Sequence, residues 1–192
     1  GFSEIILNTD SIQIAHQQAK TILNESEILL LIINQLLDHA KIEAGKFELE
    51  NEPFNLHSTI QNIGKTFEPH ARKKGLEFHT IYSSTPPLIV GDALRLRQIL
   101  VNLISNAIKF TQTGSVSLAA RRLTVNESFV KLRFIVQDTG IGIPQDKIKK
   151  LFDSFTQVDG STTRKYGGTG LGTTIASDLV RMMGGQLHVE SE

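Results

Sequence analysis

The alternation of apolar and polar positions changes period near residue 50. Before it, Ile12, Ala15, Ala19, Ile22, Ser26, Leu29, Ile33, Leu36 and Ala40 recur at alternating spacings of three and four, with no Pro or Gly between them. That spacing predicts one long amphipathic helix, its apolar seam broken only by Ser26. Leu23, Leu30 and Leu37 widen the seam on one flank. A two-stranded coiled coil usually carries charges there, whereas a wider stripe suits a helix with several neighbours. The only other apolar stretch close by is Phe2, Ile5 and Ile6, ahead of an Asn8-Thr9-Asp10-Ser11 turn. Two arrangements satisfy the stripe: a dimeric four-helix bundle completed by a second copy, or a long core helix inside one chain.

From Pro53 onward the pattern is mixed. Leu56, Ile60, Ile63 and Phe67 predict a helix capped by Asn55 and ended before Gly75. Leu76, Phe78, Thr80 and Tyr82 alternate as a strand, and Pro86-Pro87 punctuate the chain after it. Asp92 caps a second expected helix, whose buried face is Ile99, Leu100, Leu103, Ile104, Ala107 and Ile108. Two strands are expected at residues 115–121 and 130–137, joined by a turn near Asn126. A short helix at residues 145–151, a polar glycine-rich loop and a helix over residues 171–183 come next. Gly184-Gly185 stops that helix, and a strand is expected from Gln186. The segregation of helices and strands predicts an α+β fold, a helix layer on one face of a mostly antiparallel sheet. A further strand is expected beyond the last residue.

Composition narrows the class. In 192 residues, 40% are hydrophobic and 21% charged, which suits a globular chain rather than a disordered one. Twenty basic residues balance twenty acidic ones, so the basic footprint of a nucleic-acid binder is missing. Cysteine is absent, which removes disulfides, thiolate nucleophiles and Cys-based zinc sites and fits a reducing, cytoplasmic setting. The most apolar run, residues 28–37, is interrupted by Asn34 and Gln35 and is too short to span a bilayer.

Two glycine clusters carry the clearest chemistry. Asp138-Thr139-Gly140-Ile141-Gly142-Ile143-Pro144 ends a strand, and Gly167-Gly168-Thr169-Gly170-Leu171-Gly172 opens a helix. Glycine lets backbone approach a ligand closely, and a helix start presents unpaired N–H groups to phosphate. Turn geometry alone also explains one such cluster; two bracketing a long loop point to a nucleotide. The common phosphate motifs fail. Gly64-Lys65-Thr66 imitates the tail of a P-loop but lies mid-helix, with Thr59 where the first glycine belongs. Neither cluster reads G-x-G-x-x-G. Asn102 and Asn106 share one helix face, with Lys109 a turn further on. Amides and an amine in line suit phosphate and Mg²⁺, which needs few protein oxygens beside a nucleotide. The same three residues, taken alone, also suit the solvent face of an amphipathic helix.

Together these segments resemble the sensor histidine kinases of the hybrid type. Leu96-Arg97-Gln98-Ile99-Leu100-Val101-Asn102-Leu103-Ile104-Ser105-Asn106-Ala107-Ile108-Lys109-Phe110-Thr111 is similar to their N box. The first glycine cluster resembles the G1 box, Leu151-Phe152-Asp153-Ser154-Phe155 the F box, and the second cluster the G2 box. Lys41-Ile42-Glu43-Ala44-Gly45-Lys46 is similar to the end of their second dimerisation helix and its linker, and Gly1-Phe2-Ser3-Glu4 to the segment after the phosphoacceptor motif.

The resemblance implies a GHKL (Bergerat) α/β sandwich over residues 51–192, short of its last strand. It implies dimerisation and phosphotransfer helices over residues 1–50, with the phosphoacceptor His upstream of Gly1. ATP and Mg²⁺ are the implied cofactors. Asp138, read as a buried acid, would receive the adenine amino group; Gly140 and Gly142 belong to the base pocket, and Phe110 packs near the base. Asn106 would ligate Mg²⁺, with Asn102 and Lys109 near the phosphates. Gly168, Thr169, Gly170, Leu171 and Gly172 would offer backbone to the phosphates, and Arg164 or Lys165, in a lid over residues 154–168, would reach the γ-phosphate. The implied partners are a second copy, through the N-terminal helix, and a response-regulator receiver domain; the implied parent is membrane-anchored or soluble. Asn102 stands where GHKL ATPases carry a Glu general base, which favours transfer to histidine over hydrolysis. A GHKL ATPase, or a nucleotide-dependent dimeric interaction module without phosphoryl transfer, is the alternative. Thr173-Thr174 depart from the Leu and small residue usual after the G2 box.

Overall fold

The computed structural model describes residues 11–125, 129–148 and 171–191. The chain divides into two compact units, Gly1–Phe47 and Glu48–Glu192.

The described part of the first unit is one helix, α1 (Ile12–Glu43), of 32 residues. Ser11 caps it, its hydroxyl accepting from Ile14 N. Ile12, Leu23, Leu29, Leu30, Ile33, Leu36 and Leu37 are all exposed along it, so the apolar stripe read from the sequence lies open on this unit.

The second unit orders as β1 (Glu52–Asn55), α2 (Leu56–Lys73), β2 (Glu77–Ser83), β3 (Leu88–Gly91), α3 (Ala93–Phe110), β4 (Ser115–Val125), β5 (Val130–Asp138), α4 (Gln145–Ile148) and α5 (Leu171–Met182). The main sheet has the order β2-β4-β5. Its β2–β4 pair is parallel and its β4–β5 pair antiparallel, so the sheet is mixed rather than mostly antiparallel. The reason is α3: a helix between two strands returns the chain to the same end of the sheet, and the next strand then runs parallel. A second sheet pairs β1 with β3, antiparallel, Phe54 opposite Ile89. Neither short strand is legible in the sequence, since four residues that include Pro53, or that follow Pro86-Pro87, show no clear alternation. The strand expected from Gln186 forms no ladder. Leu187, Val189 and Ser191 are half-buried while Gln186, His188 and Glu190 are exposed. The alternation is there, but backbone partners are not among the described residues.

The core joins α2 and α3 to one face of the sheet. Leu56, Ile60 and Ile63 meet Leu96, Leu100 and Ile104 over Leu118 and Ala120. A smaller cluster, Ala71, Leu76, Ala107 and Val116, closes the end where both helices finish. Gly64 explains the false P-loop: a Cβ there would sit 2.9 Å from Thr80 Cγ2, so glycine brings α2 against β2 instead of cradling phosphate. Asn55 and Asp92 cap α2 and α3, as read from the sequence, and Gly75, at φ 77°, ends α2. Leu76 N donates to Ala71 O and Gly75 N to Arg72 O, the paired bonds of a Schellman ending.

Candidate functional site

The site residues collect along α3 and at the ends of β5 and α5. Asn102, Asn106, Lys109 and Phe110 are all half-buried on α3, away from the fully buried positions Leu100, Ile104 and Ala107. Asn102 Nδ2 donates to Gly172 O at 3.3 Å. That bond ties the middle of α3 to the first turn of α5. Among the described residues, a Cβ on Gly172 would meet only the Asn102 side chain, at 3.6 Å, so Asn102 and Gly172 stand at ordinary contact distance. Ile175, Ala176 and Leu179 bury the inner face of α5. Its first turn leaves N–H groups without helical partners, which is where an anion is favoured.

Lys109 Nζ lies 5.0 Å from the centre of the Phe110 ring, a cation held over a π face. Burial pushes the Lys109 ammonium below the ordinary lysine range; a low-dielectric setting disfavours its charge. A bound polyanion would offset that cost.

Asp138 ends β5 and is exposed rather than buried. The strand stops there, and the carboxylate turns back on its own loop: Gly140 N donates to Oδ1 at 2.8 Å and Thr111 Oγ1 at 3.4 Å. Thr111, fully buried, shares its one hydroxyl proton with Ala107 O, the nearer acceptor at 2.7 Å. It therefore links the end of α3 to the Asp138 carboxylate. Gly140 fills the angle between them: a Cβ would fall 2.6 Å from Asp138 Oδ1 and 2.8 Å from Phe110 O. Gly142 adopts φ 69°, a left-handed turn that glycine takes without strain. Thr139 Oγ1 accepts from Ser115 N and donates to Thr113 O, which fixes the loop to the start of β4.

Thr111 and Thr139 are structural members of the site to which sequence reasoning assigns no role. Their signal is position, directly after α3 and directly after Asp138. Thr174, part of the departure after the second glycine cluster, is 5% exposed, and its hydroxyl has no hydrogen-bond partner among the described residues. Arg164, Lys165, Gly168, Thr169 and Gly170, and with them the expected lid, lie outside the described residues, as do the F box and the turn near Asn126. Leu171 opens α5. No group of three or more metal-ligating side chains occurs among the described residues. No helix among them is long and apolar enough to cross a membrane.

The donor set fits a nucleotide: two amides and an amine along α3, a helix start beside Asn102, and an exposed carboxylate beside a glycine turn. Comparison with known proteins places the chain in a family. Residues 91–192 match the family described as histidine kinase-, DNA gyrase B- and HSP90-like ATPase. The sensor protein GacS of Pseudomonas syringae pv. syringae is 43% identical over 192 residues, covering 100% of this chain and 21% of that protein. BarA of Escherichia coli K12, a signal transduction histidine-protein kinase, is 39% identical over 193 residues, with the same 100% and 21% coverage. The chain thus spans about a fifth of the length of these relatives. Among solved structures, full-length ShkA in complex with AMPPNP superposes with a TM-score of 0.73 at 34% identity, covering 93% of this chain and 36% of that one. The catalytic domain of the histidine kinase ThkA gives 0.58 at 26% identity, over 71% of this chain and 82% of that one. The chain belongs to the histidine kinase-, DNA gyrase B- and HSP90-like ATPase family, as a sensor histidine kinase catalytic domain with the GHKL fold.

Proposed function

We propose that this chain binds Mg²⁺-ATP between α3 and the start of α5 and positions its γ-phosphoryl for transfer to a protein histidine. The observation that carries the reading is the Asn102–Gly172 bond. It sets the amide-bearing face of α3 beside a helix start, the two features that phosphate and its cation need. Asn106 supplies a carbonyl oxygen to the metal, Lys109 a cation to the phosphates, and Gly172 backbone to the same groups. Leu171, Gly170, Thr169 and Gly168 extend that backbone, and Arg164 or Lys165 reach the terminal phosphate. Bound Mg²⁺ would neutralise charge on the phosphates.

Asp138 reads the base. An ionised carboxylate accepts but cannot donate, so it suits the adenine amino group and repels a guanine carbonyl. Its exposure leaves an oxygen available beyond the Gly140 and Thr111 bonds. Gly140 and Gly142 shape the loop beneath the base, and Phe110 lines it. Transfer is favoured over hydrolysis because an amide at Asn102 cannot take a proton from water. The supporting relatives are named histidine kinases, and the open stripe of α1 suits pairing with a second copy in a cytoplasmic dimer that hands phosphate on to a receiver domain. Residues 1–50 then serve dimerisation and residues 51–192 catalysis.

Calorimetric titration tests the reading. Mg²⁺-ATP should bind, GTP should bind much more weakly, and Asn106→Ala should lose the Mg²⁺-dependent part of the affinity while staying folded. With γ-labelled ATP and a histidine-bearing dimerisation domain supplied in trans, an acid-labile phosphohistidine is expected. Equal ATP and GTP affinity, or release of inorganic phosphate without labelled protein, would overturn it.

A further inference from the structure

The last four carbonyls of a helix have no partner within it, and the end of α3 carries two candidate site residues, Lys109 and Phe110. Each of its last carbonyls has an identifiable neighbour. Ala107 O accepts from Thr111 N and from Thr111 Oγ1. Phe110 O lies against Gly140, close enough to exclude a Cβ. The two between them, Ile108 O and Lys109 O, both accept from Lys74 Nζ, at 2.6 and 2.8 Å.

Lys74 comes from elsewhere in the chain. It is the C-cap residue of α2, where its own N–H is taken by Ala71 O. Gly75 N and Leu76 N close the end of α2 on Arg72 O and Ala71 O, and the Lys74 ammonium reaches across to the neighbouring helix. Below it, Ala71, Leu76, Ala107 and Val116 form the small apolar cluster that holds the two helix ends together. A positive charge at a helix C-terminus is favoured by the dipole, and the two bonds also fix the geometry of the last turn.

We propose that Lys74 is a positioning residue for the nucleotide site: by holding the Ile108 and Lys109 carbonyls it keeps the last turn of α3 wound, and so keeps the Lys109 ammonium and the Phe110 ring aimed at the ligand. The inference rests on the site reading above and adds to it a residue that touches no ligand. Without Lys74 the terminal turn frays, since helix ends open at low cost, and Lys109 and Phe110 sample orientations that must be frozen out again on binding.

Three variants separate the possibilities. Lys74→Met keeps the aliphatic stem and removes both bonds. Lys74→Arg keeps charge and donors. Lys74→Gln keeps a donor without charge. Mg²⁺-ATP affinity is measured by calorimetry at a temperature where circular dichroism finds every variant folded. Lys74→Met should weaken binding by about tenfold, or 1.4 kcal/mol. Lys74→Arg should stay within about twofold and Lys74→Gln should fall between, in proportion to the donors retained. A merely structural role predicts affinity equal to wild type once all molecules are folded. Lys74→Met binding like wild type would overturn the proposal. Should the unaltered chain fail to bind Mg²⁺-ATP, the site reading fails, and amide exchange then decides the role of Lys74 alone. Faster exchange at Lys109 to Gln112 in Lys74→Met would support a clamp, and unchanged exchange would overturn it.

Discussion

Replacing Asp92 isolates what holds the other end of α3. Asp92 is 4% exposed and each carboxylate oxygen has its own task. Oδ1 accepts from Arg95 N at 2.9 Å, the N-cap bond, while Oδ2 accepts from Glu50 N at 3.1 Å. Asp92→Ala removes both. Loss of an N-cap costs about 1 kcal/mol, and a charge-assisted bond costs about 1.5–3 kcal/mol when its partner is left unsatisfied. The Glu50 amide is only partly buried and regains some water, so about 3 kcal/mol is expected in all. At roughly 3 °C per kcal/mol for a domain of this size, the midpoint should fall by roughly 10 °C.

Asp92→Asn separates the two contributions. Asparagine caps as well as aspartate, but its amide sets a donor against the Glu50 N–H. The Asn variant should therefore retain the cap contribution and lose the other, ending about 1 kcal/mol above Asp92→Ala. Two compact units need not unfold together, so the probe must be local. Amide exchange at Leu100 and Ile104, both buried mid-helix on α3, reports the unfolding of this unit. Asp92→Ala within about 0.5 kcal/mol of wild type would refute the reasoning, since that is the range of inert surface changes. Equal values for the Ala and Asn variants would refute the assignment of the cap.

Gly140→Ala should lower nucleotide affinity at least about tenfold and destabilise by about 1–3 kcal/mol, because its Cβ would collide with the Phe110 carbonyl and the Asp138 carboxylate; wild-type affinity by calorimetry would contradict this. Lys109→Met should bind ATP more weakly yet leave the apo protein at least as stable, since burial disfavours the ammonium. The sign follows from a folded-state pKa below the unfolded one: the penalty is full at low pH and is relieved as pH rises through the folded pKa toward the unfolded value. Lys109→Met should therefore flatten the alkaline limb of the stability profile, read by thermal melts. Thr174→Val should be neutral or raise the urea midpoint, because the buried hydroxyl it removes has no partner among the described residues; a loss above about 1 kcal/mol would mean that hydroxyl is paired in solution.

Legibility in the sequence depends on the length and period of each element. α1, α2, α3 and α5 run long enough for the helical repeat to show, and Asn55, Asp92 and Gly75 mark ends that local chemistry alone decides. β2, β4 and β5 show alternation because one face meets the helices. β1 and β3 do not, and neither does the parallel pairing of β2 with β4, which depends on a crossover and not on residue type. The site divides in the same way. Glycine clusters and in-line amides are local patterns and can be read. Asp138 exposure, the Thr111 link and the reach of Lys74 across to Ile108 and Lys109 are properties of chain segments meeting in space. Gly64 is the converse case: a local pattern without its function, because on helix α2 it packs against Thr80 of strand β2.

The restraints on α3 also bear on the chemistry. Asp92 joins its start to the segment at Glu50, Asn102 joins its middle to α5, and Thr111 joins its end to the Asp138 carboxylate. Leu96, Leu100, Ile104 and Ala107 bury its inner face. A helix tied at so many points holds in place the backbone that carries Asn102, Asn106 and Lys109, and catalysis of phosphoryl transfer is mostly positioning and charge stabilisation. Hydrolysis needs a base that takes a proton from the attacking water; a neutral imidazole attacks an in-line phosphoryl group through a ring-nitrogen lone pair, and its N–H proton leaves from the other nitrogen. In the proposed reading the amides on this helix would hold the phosphoryl group for such an attack and offer no base for hydrolysis, so the proposed activity rests on the helix face rather than on the fold shared with ATPases.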